Sequence, residues 1–488
     1  MDTDVLICGA GPAGLTLAIE LARRGVAFRL IDKAPAPFPG SRGKGLQPRS
    51  LEVFEFMGIA PRILATGGFY PPQRTYAADG MFSDHQMAET RPATPAEPYG
   101  GPVMLAQFQT EAFLRERLCE LGHAPAFGVE LIRFSQDGKG VKAKVRTAAG
   151  EKTIRARYLI GADGGKSFVR HALKVGFPGE AFPIRAIVAD LRLTPDSPLS
   201  RDAWHRWTRD QASHLALCPL IGTDLFQLQA VIPTEGEPDL GREALQAMID
   251  SRTGRADIRV AEVTWASAFR GGARLADRFV NGRVILMGDA AHVHPPTGGQ
   301  GLNTSVQDAW NLGWKLALAV QGGPDLLDTY ERERREVAAG VLGLSVKLLD
   351  AARQNNDMRR DRSTHQLDLG YRDSALSLDS RDGDRVLRAG DRAPDAPCKA
   401  STGQAGRLFA LFGPHWTLMC GEGAERPAPR KGLRIHVLGG EIIDDGGHIV
   451  AAYDLRPGEY CLIRPDGYVG ALTADTVVLS AYMARVGL

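Results

Sequence analysis

Near its N-terminus the chain reads DVLICGAGPAGLTLAIELARRGVAFRLIDK, and no other stretch restricts the possible folds as much. An apolar strand, Val5 to Cys8, runs into Gly9-x-Gly11-x-x-Gly14, then a helical pattern to Arg24, then a second apolar strand ending at Asp32. In such a unit the first glycine makes the tight turn, the second lets the backbone approach a pyrophosphate, and the third lets the helix pack on the strand. The helix that starts at Pro12 offers unbonded N–H groups from Ala13 onward, and partial positive charge, to phosphates. Asp32 ends the second strand where a carboxylate can accept from ribose hydroxyls, and Lys33 beside it is assigned to the same nucleotide. The pattern predicts an α/β fold built on a parallel sheet and a bound dinucleotide, without choosing between NAD and FAD.

With 488 residues the chain is expected to form two or three domains. Lys and Arg number 59 against 57 Asp and Glu, a balance that gives no reason to expect a nucleic-acid partner. The six cysteines lie far apart, with no Cys-x-x-Cys and no metal-ligand spacing, so a reduced cytoplasm is the expected location. The apolar run VLICGAGPAGLTLAIELA has no basic residues before it and is broken by Gly9, Gly11, Pro12, Gly14 and Glu20, so neither an export signal nor a membrane span is expected.

Two further turns follow apolar strands. YLIGADGGKSFVRHAL places Gly161, Asp163, Gly164, Ser167 and Arg170 after ARYLI and before a helical run. Taken alone, Asp163-Gly164 is a turn dipeptide followed by a helix cap at Ser167. GRVILMGDAAHVHPPTGGQGLN ends a strand at Met287, turns at Gly288, and presents Asp289 where a second ribose could be bound; an amphipathic helix follows. In this order and at these separations the three motifs resemble the flavoprotein aromatic hydroxylases, the single-component class related to p-hydroxybenzoate hydroxylase. The resemblance is strong from Asp4 to about Val341 and weaker beyond.

The resemblance implies bound FAD, with Asp163 in the middle motif contacting it and Gly288 and Asp289 at the ribityl chain. Pro295 to Gly301, including Pro296 and Gly299, would wrap the flavin ring, which requires bare backbone. Gly301, Leu302 and Asn303 would lie near the isoalloxazine, with the helix dipole directed at its pyrimidine end. Arg42, in GSRGKGLQPRS, and Gln107, with Arg115 on the helix behind it, match cofactor-contacting positions of the family. Lys44 departs from the family pattern, which often has an apolar residue there. His292 and His294 form a His-x-His pair without an evident third ligand, so no metal is expected.

The implied architecture is a Rossmann-like FAD-binding domain (1–70, 104–176, 274–345), an inserted antiparallel-sheet substrate domain (71–103, 177–273), a helical linker (346–392) and a C-terminal thioredoxin-like domain (393–488). Alternating patterns such as HLALCPLI and LFQLQAVI support the inserted sheet, with Trp204, Trp207, Phe226, Gln229, Trp265 and Phe269 as pocket candidates. Glu331 to Glu336 reads as a solvated helix face. Cys398 and Cys420 are solitary, so the C-terminal domain is expected to be structural or to serve assembly. The implied reaction is hydroxylation of a phenolic or polycyclic aromatic substrate with O2 and transiently docked NAD(P)H, through a flavin C4a-hydroperoxide. No catalytic base declares itself, and a homodimer is an open expectation. The same fold also serves halogenases and reductases, and a catalytically idle FAD-binding protein would keep the same motifs.

Overall fold

The computed structural model describes residues 1–77, 79–207, 214–295, 299–355 and 360–488. Strand β1 (Thr3–Cys8), helix α1 (Pro12–Ala22) and strand β2 (Phe28–Asp32) form the expected strand–helix–strand unit, with β1 and β2 parallel and Ile7 opposite Leu30. Val5, Leu6 and Ile7 have no exposed surface, as in a parallel strand covered on both faces. The chain continues through α2 (Pro48–Met57), β3 (Gln73–Tyr76), β4 (Phe82–His85) and α3 (Gln107–Glu120) to β5 (Gly150–Gly161), which lies parallel to the other side of β1.

A second sheet is then assembled from β6 (Gly179–Leu193), β7 (Trp204–Trp207), β8 (Leu215–Pro219), β9 (Leu225–Ile232) and β10 (Val260–Leu275), with α4 (Arg242–Thr253) between the last two. Its strand order is His292–Val293, β10, β6, β9, β8, β7, β3, β4, so segments far apart in sequence meet in one eight-stranded sheet. It is antiparallel except where β7 runs parallel to β3.

Side chains alternate between the two faces of such a sheet. Ile187, Ala189 and Leu191 of β6, Leu215 and Leu217 of β8, and Phe226, Leu228 and Ala230 of β9 share one core with Leu245 and Ile249 of α4. The intervening residues form the opposite face, which lies against residues 40–45 of the first domain.

Strand β11 (Val284–Leu286) returns to the first sheet beside β5. Helix α5 (Gly301–Val320) packs against α1, and α6 (Leu327–Asn355) follows after a short turn. The C-terminal part holds a five-stranded mixed sheet of Leu378–Asp379, β12 (Trp416–Cys420), β13 (Leu433–Val437), β14 (Tyr460–Ile463) and β15 (Val469–Thr473), closed by α7 (Thr476–Arg485). Its edge strand Leu378–Asp379 comes from the segment read in sequence as linker.

The charge run on α6 is a correction to the sequence reading. Glu333 and Arg334 are buried rather than solvated. Glu333 pairs with Lys315 at 2.7 Å and with Arg464 at 2.8 Å, and Arg334 pairs with Asp308 at 2.7 Å. The adjacent charges Glu333 and Arg334 are therefore met by opposite charges from α5 and, for Glu333, from Arg464 just after β14, which replace water.

All six cysteines are free, and Cys119 is the one that is exposed. Among the described residues no helix is long and apolar enough to cross a membrane.

Candidate active site and cofactor cleft

The three glycine turns converge. Gly9 has φ +106°, and a methyl group on it would lie 2.2 Å from the carbonyl oxygen of Ala162 at the end of the middle motif's strand. A methyl group on Gly14 would lie 1.9 Å from the Gly9 carbonyl oxygen, so helix and turn touch there through bare backbone. Gly288, at φ +58°, comes close to Ala13, and Arg170 of the middle motif donates from Nη1 to the Ala290 carbonyl at 2.9 Å. By contrast, a methyl group on Gly11 or Gly301 would meet nothing within 4 Å. These two glycines stand at the starts of α1 and α5, and neither start carries a side-chain cap. Each helix therefore presents N–H groups that have no intrahelical acceptor to open space, the arrangement that receives an anion.

Asp289 is exposed, yet desolvation raises its pKa against the opposing charges of His292 and Arg42. A carboxyl that is both reachable and ringed by protein lines a cleft, and Arg42 faces it there. The Arg42 guanidinium also stands 5.5 Å over the Phe38 ring and 6.0 Å over Trp265. These residues fit a long, anionic dinucleotide.

Several of the sequence-assigned residues turn out to hold the cleft's backbone in place. Asp32 accepts from the Ala10 and Ala34 N–H groups at 2.8 Å each, which ties the glycine turn to β2 and leaves lone pairs for a ribose. Lys33 is exposed just after it. Asp163 accepts from the Ser167 hydroxyl and the Val169 N–H, so its side chain caps the short helix Phe168–Ala172 while Arg170 reaches the third motif. Gln107 accepts from the Gly43 N–H at 3.0 Å and donates to Glu111 at 2.8 Å. Asn303 is fully buried; its oxygen accepts from the Gln47 N–H and its amide donates to the carbonyls of Gly45 and Gly299. Asn303 can therefore meet a ligand only through its backbone. Leu302 lies against Gly43, and Gly299, at φ +64°, against Arg360. Pro296 lies outside the described residues.

Asp308 is the residue that sequence reading missed. Its carboxylate accepts from the Gly288 N–H at 3.0 Å and from Arg334 Nε at 2.7 Å, and it bonds His292 Nε2 at 2.6 Å. Burial opposes its ionisation, but the charges of His292 and Arg334 outweigh burial and hold the carboxyl below its usual range. His294 bonds His292 in turn at 3.0 Å, so the His-x-His pair is taken up by this chain of contacts. Among the described residues no group of three His, Cys, Asp or Glu side chains could hold a metal ion. The available signal was a lone acid among Val306, Ala309, Trp310 and Leu312 on a buried helix.

On the second sheet, Trp204, Gln229, Trp265 and Phe269 lie on the face toward residues 40–45. Trp207 and Phe226, also expected there, lie on the other face in the core shared with α4. Registers fix this division: Asp190 is opposite Gln227 and Trp265, and Ala186 is opposite Phe269.

Glu111, beneath Gln107, has its pKa pushed up to about 7 by burial. A carboxyl raised in the folded state contributes stability below its unfolded pKa of about 4.5, and loses it as pH rises through about 7. Glu111→Gln is therefore expected to raise stability by roughly 2–3 kcal/mol at pH 8 and by almost nothing at pH 4.5. Thermal melts at the two pH values check this; an equal gain at both would contradict it.

Comparison with known proteins agrees with this geometry. Residues 2–345 match the family described as FAD binding domain. The chain is 43% identical to a flavin-dependent monooxygenase of Mycobacteroides abscessus, with 99% of each chain covered. It is 32% identical to the 6-methylpretetramide 4-monooxygenase of Streptomyces rimosus, covering 99% of this chain and 93% of that one. Among solved structures, the flavin-dependent monooxygenase PieE in complex with FAD and substrate matches with a TM-score of 0.86 at 25% identity, covering 100% of this chain and 99% of the other. Aklavinone-11 hydroxylase with FAD and aklavinone gives 0.82 at 26% identity over the same shares. The chain belongs to the FAD-binding-domain family, among its flavin-dependent monooxygenases.

Proposed function

We propose that this protein hydroxylates a phenolic or polycyclic aromatic compound, with NAD(P)H as reductant and O2 as oxygen donor. The observation that carries the reading is the two-faced sheet, whose cleft-facing side brings Trp265 against Gly40 and Trp204 beside Lys44, with Phe269 on the same face. FAD, when bound, carries electrons from NAD(P)H to oxygen. The chain's own part is to bind and exclude: Gly11 and the start of α1 take the pyrophosphate, Asp32 the ribose, Asp289 and Arg42 the ribityl side, and the start of α5 the electron-rich end of the ring. The aromatic face of the sheet orders a flat substrate and keeps water from the reacting atoms. The names of the similar proteins, which include 6-methylpretetramide and aklavinone, favour a fused-ring substrate.

The C-terminal domain has a structural role in this proposal, as a thioredoxin-like unit without redox work. Its cysteines are buried and unpaired, and burial pushes the Cys420 thiol up to about 11, far from a reactive thiolate.

The test is NADH and NADPH oxidation by the FAD-loaded protein against a panel of phenols, naphthols, anthraquinones and tetracyclic polyketides, with product mass as the second readout. At least one compound should accelerate oxidation and gain one oxygen atom. Reductant consumption that no aromatic changes, with no oxygenated product, would reject the proposal.

A further inference from the structure

The cleft-facing side of the sheet contains a charged cluster that none of the glycine motifs accounts for. Lys44 is 7% exposed; its Nζ donates to Gln227 Oε1 at 2.6 Å and stands 4.1 Å over the Trp204 ring. Gln227 cannot turn away, because its amide donates to the Ser41 carbonyl and its oxygen also accepts from Gln229. Arg360 is 8% exposed, and its backbone is held between the Met87 carbonyl and the Glu89 N–H. Its guanidinium stands 5.3 Å over the Tyr70 ring, and Nη1 backs onto Gly299 of the third motif. The surroundings are apolar: Tyr70, Met87, Met104, Trp204 and Ala216 form one cluster with Cys218.

Hydrogen-bond partners are missing here in a concentrated way. Arg360 Nε and Nη1 and the Trp204 indole N–H are buried without a partner. Burial pushes the Lys44 ammonium down; the Cys218 thiol beside it and the Asp190 carboxyl pull the other way, the charge of Arg360 adds to the push, and burial drives Asp190 up to about 6 against the pull of Ser41 and Lys44. No ion pair among the described residues involves Arg360. Two buried cations thus face one carboxyl that ionises reluctantly, and the site is short of a negative charge. The Arg360 guanidinium meets the neutral Tyr70 hydroxyl but keeps Nε and Nη1 buried and unmatched, which is unfavourable and is relieved by an anionic ligand.

We propose that Lys44 and Arg360 form the anion-binding end of the substrate pocket, receiving an anionic oxygen carried by the aromatic substrate. This deepens the proposed function and rests on it. The oxygen belongs either to a carboxylate or to an ionised phenol or enol, and both present the same chemistry to the two cations. The apolar walls take the rings, while the guanidinium and ammonium hold the anionic end of the molecule beside the third glycine turn.

Equilibrium dialysis of the FAD-loaded protein tests the site with two matched pairs: 2-naphthoate against 2-naphthamide, and 2,4-dinitro-1-naphthol, ionised at neutral pH, against its methyl ether. The charged member of at least one pair should bind at least about tenfold more tightly than the neutral member. The pair that discriminates identifies the group. Lys44→Met and Arg360→Gln should each reduce that ratio toward one while FAD is retained. If Arg360→Gln does not keep its flavin, Arg360→Lys, which preserves the charge, should keep both flavin and discrimination. Equal binding within both pairs, no binding of any of the four, or discrimination that survives both substitutions would overturn the site. Because dialysis needs no turnover, discrimination without any hydroxylation would instead reject the proposed reaction and leave the anion site standing.

Discussion

Gly9→Ala should yield a protein that purifies almost colourless, with less than about a tenth of the wild-type flavin content. A side chain at φ +106° is strained in any surroundings, and here the added methyl group would lie 2.2 Å from the Ala162 carbonyl oxygen and 2.6 Å from its carbon. Those are backbone atoms at the end of a buried parallel strand, so nothing can swing aside as a flexible side chain would. The glycine turn and the middle motif must separate, and the pyrophosphate cradle opens with them. Gly11→Ala provides the contrast, since its methyl group meets open space in the protein. It should fold and melt like the wild type and lose only affinity for the cofactor, because the intrusion is into the ligand's volume. Flavin absorbance per mole of protein and thermal melts of both apoproteins separate the two effects. Full flavin content in Gly9→Ala would contradict the contact between the turns.

Arg464→Met should be the most destabilising single substitution at the contact between the flavin domain and the C-terminal domain. Arg464 donates to Glu333 at 2.8 and 2.9 Å and to Asp466 at 2.6 and 3.0 Å, and all three side chains are buried. Asp466 also receives the Trp314 indole N–H, and its backbone carbonyl receives those of Trp310 and Arg49, so β14–β15 and α5 are fastened at one point. Without the guanidinium, two buried carboxylates keep Lys315 as their paired cation, beside neutral donors such as Trp314 and Asn311. Leaving such charges uncompensated costs about 3–5 kcal/mol. A fall in Tm on the order of 10 °C and faster proteolysis of the C-terminal part are expected. Burial disfavours the Glu333 carboxylate, but Arg464 and Lys315 outweigh it and hold its pKa well below the usual carboxylate range. The stability from this group is thus complete above about pH 4.5 and is lost only in strong acid, so the difference between variant and wild type should shrink as pH falls. A variant as stable as wild type at pH 7 would show that the cluster adds nothing to the fold.

The strand–glycine–helix turns were legible because each makes a local demand that few residues meet: the φ of Gly9, the close packing at Gly14 and the open helix start at Gly301 are carried by spacings of a few residues. The inserted sheet was legible as alternation, but the orientation of each strand was not. One face is covered by α4 and the other by residues 40–45, so both are largely buried, and hydrophobicity does not tell Trp207 from Trp204. Burial of Glu333 and Arg334 was hidden for a different reason. Their partners are Lys315, Arg464 and Asp308, up to 131 residues away, and a helix with charges at i and i+4 looks the same whether water or another domain covers it. Lys44 was visible as an anomaly without an explanation. Arg360 was not visible at all, since it sits in a charged stretch read as linker and gains its meaning only from Tyr70 and Gly299 beside it.

The period-two division of the second sheet also bears on how such an enzyme can be retuned. Positions 186, 188, 229, 265, 267 and 269 lie on the side that faces the cleft, while their immediate neighbours 187, 189, 226, 228, 266 and 268 lie on the side of its helix. Libraries that randomise every second codon along these strands would explore ligand range with little loss of soluble product, and libraries shifted by a single codon would mostly return aggregates.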